Sequence, residues 1–200
     1  MKIQEITSLE QLDNYLGTCK AIPIGVPTDG NGFYKLMCQT FKYPNGGIKP
    51  REYIDKNPAT IMVPEDPDGN FIMVIQPAGL TSERSLIEFP AGYAKPHEDS
   101  KTTGIREMLE ETGLTTSLKH ITYLGNHYQD PGSIRQPVHA YLAEYCIQHH
   151  RPKPDDGEYI QLYKVSKLMF FNMLRHGYIK DANTFIAGIL ALFQLGILSE

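Results

Sequence analysis

The chain has 200 residues, of which 41% are hydrophobic and 21% charged, enough for one globular domain with a sizeable core. Its formal net charge is −4, and its Lys and Arg residues are scattered, which argues against bulk nucleic acid as a partner. The three cysteines, Cys19, Cys38 and Cys146, have no CxxC spacing, so neither a disulfide framework nor a zinc site is indicated.

The N-terminal region predicts one helix and two strands. Ser8 can cap a short helix that ends at Gly17, and the Pro- and Gly-rich stretch AIPIGVPTDGNG that follows is typical of a loop. FYKLMCQTFKYPNGG predicts a strand leading into a turn at Asn45-Gly46, which could form a small sheet with IKPREYI. We take residues 1–52 as this region and residues 53–200 as the main domain. The opening MKIQEITSLEQLDNYLG lacks the apolar stretch of a secretory signal, so we expect a cytoplasmic protein.

The main domain predicts strands first and covering helices later. TIMVP and FIMVIQ, joined by EDPDGN, indicate a hairpin, and SLIEF indicates another strand. After a helix near residues 101–112, three more segments have strand character: ITYLG, VHAYLAEYCI and EYIQLYKV. Two helices follow, the first in KLMFFNMLRHG and the second from about Asp181. The second contains FIAGILALFQLGIL, which is shorter than the roughly 20 residues of a membrane span, so no membrane partner is expected. This order predicts an α+β fold with a sheet sandwiched by helices.

The helix at residues 101–112 concentrates carboxylates near its C-terminal end. Asp99 or Ser100 can cap its start, and Gly113 is placed to terminate it. Its carboxylates lie on one face and in the last turns, where repulsion costs about 0.2–0.5 kcal/mol per pair and the helix dipole disfavours anions; they are Glu107, Glu110 and Glu111. This helix is weakened by its own charges unless a cation binds to them.

The same stretch carries a spaced motif. Gly92 is followed after five residues by Glu98, and after seven more by Arg106-Glu107, then Glu110-Glu111 and Gly113-Leu114. This spacing fits the Nudix box at every fixed position, so the chain resembles the Nudix hydrolase superfamily. IEFPAGY, YQDPGSIRQ and GYIKDANTFIAGILAL further resemble the ADP-ribose pyrophosphatase branch of that superfamily.

The resemblance implies a fold, a cofactor and an activity. It implies an α/β/α sandwich with a mixed sheet, and a small N-terminal strand region that makes a homodimer. It implies Mg²⁺, with Mn²⁺ as an alternative, held principally by Glu107 and Glu111. Glu110, Glu98 and the Ala91 carbonyl would complete the metal site, and Arg106 would orient the carboxylates. The expected reaction is hydrolysis of the diphosphate of a nucleoside diphosphate sugar, ADP-ribose being the first candidate, to AMP and ribose 5-phosphate.

The chain departs from the branch at two places. Gln136 stands where the branch usually has a Glu after its Pro-Gly loop, and an amide cannot act as a general base. Glu98, Glu107 or Glu110 are the alternatives for that role.

The second departure is Gln76-Pro77-Ala78, where the branch commonly has Gln-aromatic-Arg. We therefore expect other substrate contacts, from Arg84, Gly132, Ser133 and Arg135, with surface salt bridges as the alternative role of both arginines. The alternative functions are hydrolysis of another nucleotide sugar, such as a GDP- or UDP-sugar, hydrolysis of a dinucleotide, and catalytically weak binding of ADP-ribose as a sensor.

Overall fold

The computed structural model describes residues 3–18, 34–77, 85–155 and 157–198. These residues form four α-helices: α1 (Leu9–Thr18), α2 (Ser100–Thr112), α3 (Lys167–Arg175) and α4 (Ala182–Gln194). They also form thirteen strands: β1 (Gln4–Ile6), β2 (Lys35–Lys42), β3 (Ile48–Asp55), β4 (Ala59–Pro64), β5 (Phe71–Pro77), β6 (Ser85–Glu88), β7 (Ala91–Tyr93), β8 (Leu114–Thr115), β9 (Ile121–His127), β10 (Ile134–Arg135), β11 (Val138–Ala143), β12 (Ile147–Gln148) and β13 (Gln161–Val165). The loop predicted from AIPIGVPTDGNG lies outside the described residues.

Two four-stranded mixed sheets form the body of the protein. One has the order β1-β13-β5-β6 and the other β7-β4-β11-β9. In each sheet one pair is parallel, β1 with β13 and β4 with β11, and the other pairs are antiparallel.

Helices cover both faces of the second sheet. Successive side chains of a strand point to opposite faces. In β4, Ile61 belongs to the same buried cluster as Ala187 and Ala191 of α4, whereas the next residue, Met62, clusters with Met108 of α2. The α+β sandwich with a mixed sheet is thereby confirmed.

The hairpin predicted from TIMVP and FIMVIQ is wrong. β4 and β5 belong to different sheets and share only one isolated bridge, between Glu65 and Phe71. The turn itself forms, because the Asp66 Oδ1 atom accepts from the backbone N–H groups of Asp68 at 3.0 Å and Asn70 at 2.8 Å. Both strands are buried almost throughout, so each occupies an inner position in its own sheet.

The N-terminal elements agree with the sequence prediction. Ser8 Oγ accepts from the backbone N–H of Gln11 at 3.1 Å, which caps α1. β2 and β3 pair in an antiparallel hairpin, and Gly46 in its turn has a φ of 82°. β3 also pairs with β10, which follows the Pro-Gly loop. The predicted division between residues 52 and 53 falls inside β3.

Two further sequence features have a place in this fold. Cys38 is exposed and Cys146 buried, and both are free thiols, whereas Cys19 lies outside the described residues. Among the helices of the described ranges, none has the length and apolar character needed to cross a bilayer.

Candidate active site

Helix α2 begins and ends as its sequence predicts. The Asp99 carboxylate accepts from the backbone N–H of Thr102 at 2.9 Å, and Gly113 adopts a left-handed conformation with a φ of 71°. A Cβ atom on residue 113 would lie 2.1 Å from the carbonyl oxygen of His150, so the close approach also requires glycine. These two ends set which turns carry the carboxylates.

Arg106 gathers three of the predicted carboxylates. Its Nε and Nη2 atoms donate to the two carboxylate oxygens of Glu98, both at 2.9 Å. Its Nη1 atom donates to Glu107 at 2.7 Å and to Glu110 at 2.8 Å. Nη2 also donates to the backbone carbonyl of Tyr93 at 3.0 Å, which joins the cluster to the end of β7. The guanidinium therefore fixes the orientation of all three side chains.

The pKa values of these carboxylates differ with their surroundings. The hydrogen bonds from Arg106 are the main reason why the pKa of Glu98 falls to about 2. Burial raises the pKa of Glu107, and the hydrogen bond from Arg106 opposes that rise. Glu98 is therefore an anion at any physiological pH, whereas at Glu107 the effect of burial on the pKa exceeds that of the hydrogen bond from Arg106.

Glu111 is the buried member of this group of carboxylates. The residue is 7% exposed, and its Oε2 atom has no hydrogen-bond partner within the described ranges of the chain. Burial, followed by the charges of Glu107, Glu158 and Glu88, raises its pKa well above the usual value, although a hydrogen bond with the backbone of Ala91 opposes this. A buried carboxylate oxygen without a partner is unfavourable, and a bound cation would remove that penalty.

The donor set fits a hard divalent cation. Carboxylate and backbone carbonyl oxygens are the ligands that Mg²⁺ prefers. Within the described part of the chain, no group of three or more His, Cys, Asp or Glu side chains has its donor atoms gathered for a metal ion. Arg106 is the counter-ion of Glu98, Glu107 and Glu110 in this arrangement. The unpartnered Oε2 atom of Glu111 is the observation that fits a metal site here.

Comparison with known proteins decides the family. The sequence model of the NUDIX domain family matches residues 55–186, well over half of the chain. The chain belongs to the NUDIX family. The matched residues include the whole carboxylate cluster, and the predicted pyrophosphohydrolase class is confirmed.

Curated relatives of this NUDIX chain include two ADP-ribose pyrophosphatases. The protein from Bacillus subtilis (strain 168) is 28% identical over 150 residues, which is 74% of this chain and 80% of the relative. That from Mycobacterium tuberculosis (strain ATCC 25618 / H37Rv) is 34% identical over 126 residues, 62% of this chain and 59% of the relative. The predicted resemblance to the ADP-ribose pyrophosphatase branch is confirmed.

Two other similarities are informative. A methanol dehydrogenase activator from Bacillus methanolicus is 26% identical over 154 residues, 76% of this chain and 82% of that protein. A solved structure described as an ADP compounds hydrolase superposes with a TM-score of 0.70 at 18% identity, covering 86% of this chain and 92% of that one. The second similarity shows the fold.

Two of the four predicted substrate residues lie at one cavity. Gly132 and Arg135 line a cavity of about 620 Å³ beside the β2–β3 hairpin, together with Tyr53 and Tyr128. The backbone N–H of Ser133 is not free, because it donates to the carbonyl oxygen of Asp130 at 3.2 Å. Arg84 lies outside the described residues.

Arg135 makes the surface salt bridge that was the alternative to substrate binding. Its guanidinium pairs with Asp55 at 2.6 Å and lies 4.9 Å from the centre of the Tyr53 ring. The Arg135 side chain is nevertheless 57% exposed and lines the cavity. The ion pair and a role at the cavity are therefore compatible.

Gln136 has a structural role. Its side chain is 4% exposed, and its amide donates to the carbonyl oxygen of Asn57 at 2.8 Å. A carboxylate could not make this hydrogen bond, because it has no proton to donate when ionised.

Sequence reasoning missed a basic residue beside Tyr93. Lys56 lies 4.6 Å from the ring centre of Tyr34 and 5.9 Å from that of Tyr93, and all three line a cavity of about 300 Å³. Tyr93 is also the residue whose carbonyl accepts from Arg106. Nothing in the local sequence marks Lys56, because its partners come from distant segments.

Two carboxylates were missed as well. Burial raises the pKa of Glu88 to about 7, helped by the charge of Asp181 and opposed by a 2.6 Å hydrogen bond from the Gln76 amide. Glu158 is exposed, and its charge contributes to the raised pKa of Glu111. Glu88 stands within IEFPAGY, which was the one available signal, whereas Glu158 has no motif around it.

Proposed function

We propose that this Nudix hydrolase cleaves the diphosphate linkage of a nucleoside diphosphate sugar, with ADP-ribose as the first candidate and AMP and ribose 5-phosphate as products. The observation that carries the proposal is the buried, unpartnered oxygen of Glu111 beside the carboxylates that Arg106 orients. The two similar ADP-ribose pyrophosphatases support the choice of substrate.

The proposed metal ligands are oxygens of α2 and of the segment that precedes it. Glu107 and Glu111 would hold Mg²⁺, or alternatively Mn²⁺, with Glu98, Glu110 and the carbonyl of Ala91 completing the set. When bound, the cation neutralises diphosphate oxygens and lowers the pKa of a water molecule. Arg106 keeps Glu98 ionised and holds Glu107 and Glu110 in place. These carboxylates then need little reorganisation when substrate binds.

Glu158 is our candidate for the residue that takes a proton from the attacking water. Glu98 is a poor base, since both of its oxygens accept from Arg106 and its pKa is about 2. Gln136 carries no titratable group. Glu158 is exposed and its charge acts on Glu111, which supports its access to the same site. Glu107 and Glu110 remain the alternatives within α2.

The two cavities would divide the substrate between them. Lys56 supplies a positive charge between two tyrosine rings, so the smaller cavity suits a phosphate with its attached sugar. The larger cavity offers the rings of Tyr53 and Tyr128 and the guanidinium of Arg135. Flat aromatic surfaces suit the stacking of a base.

The N-terminal region would make a homodimer. Every residue of β2 is exposed, and apolar side chains on the hairpin include Leu36 at 73% and Ile48 at 70% exposure. Exposed apolar surface of this kind marks an interaction site. Size-exclusion chromatography with light scattering measures the mass, and a monomer at working concentration would contradict the proposal.

A substrate panel tests the activity. We would measure turnover of nucleoside diphosphate sugars, dinucleotides and nucleoside triphosphates with Mg²⁺, with Mn²⁺ and with a chelator. Metal-dependent cleavage of ADP-ribose well above the others is expected. If a GDP- or UDP-sugar or a dinucleotide is cleaved faster, the proposed substrate changes but the proposed reaction, hydrolysis of a diphosphate linkage, does not. Tight ADP-ribose binding in calorimetry without any turnover would favour the sensor instead.

A further inference from the structure

A small cavity lies between α1, β6 and the turn that joins α3 to α4, and none of the carboxylates that Arg106 binds lines it. Its volume is about 300 Å³, at the lower end of the range for small-molecule sites. Leu16 and Leu86 provide apolar walls, and Ser85, His176 and Lys180 provide polar ones. A nucleotide sugar is too large for this space, so any ligand would be a smaller molecule.

Ser85 gives this cavity an unused polar group. The residue is 2% exposed, and its hydroxyl oxygen has no hydrogen-bond partner among the residues that the structure describes. Most buried hydroxyl groups in proteins are hydrogen-bonded, because leaving one unpaired is unfavourable. A ligand oxygen that accepts from this hydroxyl would remove the penalty.

The charges around the cavity select the chemistry of that ligand. Lys180 and His176 are exposed and stand on the turn, where Gly177 has a φ of 69°. A Cβ atom on Gly177 would lie 3.7 Å from Lys180 Nζ, so the ammonium group folds back over the turn. Asp13 also lines the cavity and accepts from the Tyr178 hydroxyl at 3.1 Å. The Asp13 carboxylate is engaged by Tyr178, and Lys180 supplies a positive charge that can pair with an anionic ligand.

We propose that this cavity is a second binding site, for a small organic oxyanion. The anionic group, a phosphate monoester or a carboxylate, accepts from the Ser85 hydroxyl and pairs with Lys180, while the carbon skeleton packs on Leu16 and Leu86. This site takes no part in the proposed reaction, so it is tested by measuring ligand binding and not turnover.

Two segments that line the cavity also carry acidic residues outside it. Glu88 follows Ser85 by three residues on β6, and Asp181 follows Lys180 directly. The charge of Asp181 already contributes to the raised pKa of Glu88. A ligand that joins Ser85 to Lys180 therefore connects two segments that meet again at these carboxylates.

Titration of the full chain with three probes tests the proposal. The probes are glycerol 3-phosphate, inorganic phosphate and acetate. Their binding is measured by calorimetry and by backbone NMR shifts, with chelator present throughout. We expect one of these probes to bind and to shift the amide signals of Ser85 and Lys180. Binding of the two phosphates assigns a phosphate ligand, and binding of acetate assigns a carboxylate.

Three variants separate this site from any other anion site. Ser85→Ala and Lys180→Gln should each weaken binding about tenfold, the loss expected for a hydrogen bond to a charged group. Lys119→Gln, a control at an exposed lysine far along the chain, should bind as the wild type does. Lys180 is exposed, so its variant should fold even if Ser85→Ala does not. No binding by any probe, or equal binding by Lys180→Gln and the wild type, would overturn the proposal.

Discussion

Gly92 and Glu107 lie so close together that a Cβ atom on residue 92 would be 2.1 Å from Glu107 Oε1. Gly92 is in β7, where it pairs with Thr60, and Glu107 extends from α2 toward this strand. The absence of a side chain at Gly92 is what allows the Glu107 carboxylate to occupy its position beside Arg106.

Gly92→Ala should therefore reduce catalysis more than stability. The added methyl group meets the flexible end of Glu107, which can move away, so the fold should survive while the carboxylate is displaced. We expect at least a tenfold loss of metal-dependent turnover, since displaced catalytic groups cost about that much or more. Gly17→Ala is the control, because nothing lies within 4 Å of its added Cβ. Full activity in Gly92→Ala would contradict this account of the close contact.

Glu107→Gln and Glu111→Gln should both lose turnover by about 100-fold or more, because a metal ligand supplies several kcal/mol in the transition state. Glu111→Gln should also change the stability of the protein. Ionisation of Glu111 is strongly opposed by burial, so Glu111→Gln should raise the melting temperature at pH 7 in the absence of metal. Unchanged activity in both variants would rule out the proposed ligand set, with Glu10→Gln on α1 as the control.

Glu88 should make stability depend on pH. Its pKa in the folded protein is raised to about 7, so its stabilising effect is complete below about pH 4.5 and is lost as the pH rises through 7. A shift of this size corresponds to roughly 3 kcal/mol. Glu88→Gln should flatten the dependence of the unfolding free energy between pH 4.5 and 8. Chemical denaturation at several pH values, without metal, measures the slope; a slope equal to that of the wild type would contradict the prediction.

Gln136→Glu should destabilise the protein instead of restoring a missing base. The new carboxylate would be buried opposite the carbonyl oxygen of Asn57, which now accepts from the Gln136 amide. Loss of that hydrogen bond and burial of a charge should cost about 1–3 kcal/mol. Thermal unfolding gives the stability and the substrate assay gives the rate. A faster enzyme of unchanged stability would show that this position can supply the base.

Glu158→Gln should lower kcat with little change in KM. If its carboxylate takes the proton from water, the amide removes proton transfer, a loss of about 10²-fold to 10⁴-fold. Asp155 donates a backbone hydrogen bond to Glu158 Oε2 at 3.0 Å, which Gln can still accept, so the local loop should be preserved. Glu144→Gln is the control. A wild-type kcat in Glu158→Gln would leave Glu107 and Glu110 as the candidate bases.

The carboxylate helix could be predicted from the sequence because its features are local. The cap at Asp99, the left-handed Gly113 and the helical spacing of Glu107 and Glu111 depend on residues within one segment. The relation between Arg106 and Glu98 was also accessible, since both belong to one spaced motif.

Tertiary structure decided which strands pair and which distant side chains meet. The prediction of a turn at EDPDGN was correct, but the prediction that the two flanking strands pair was wrong. Both strands are buried on both faces, so their hydrophobic pattern does not show which strands lie beside them. The approach of Lys56 to the Tyr93 ring joins segments that are far apart in the chain, and so does the effect of the Glu158 charge on the pKa of Glu111. Gln136 likewise changed from a missing base to a buried hydrogen-bond donor once Asn57 was placed beside it. The sequence by itself determined the ends of one helix and the spacing of its carboxylates, whereas burial and charge at the other positions depend on packing between segments and were decided only by the fold.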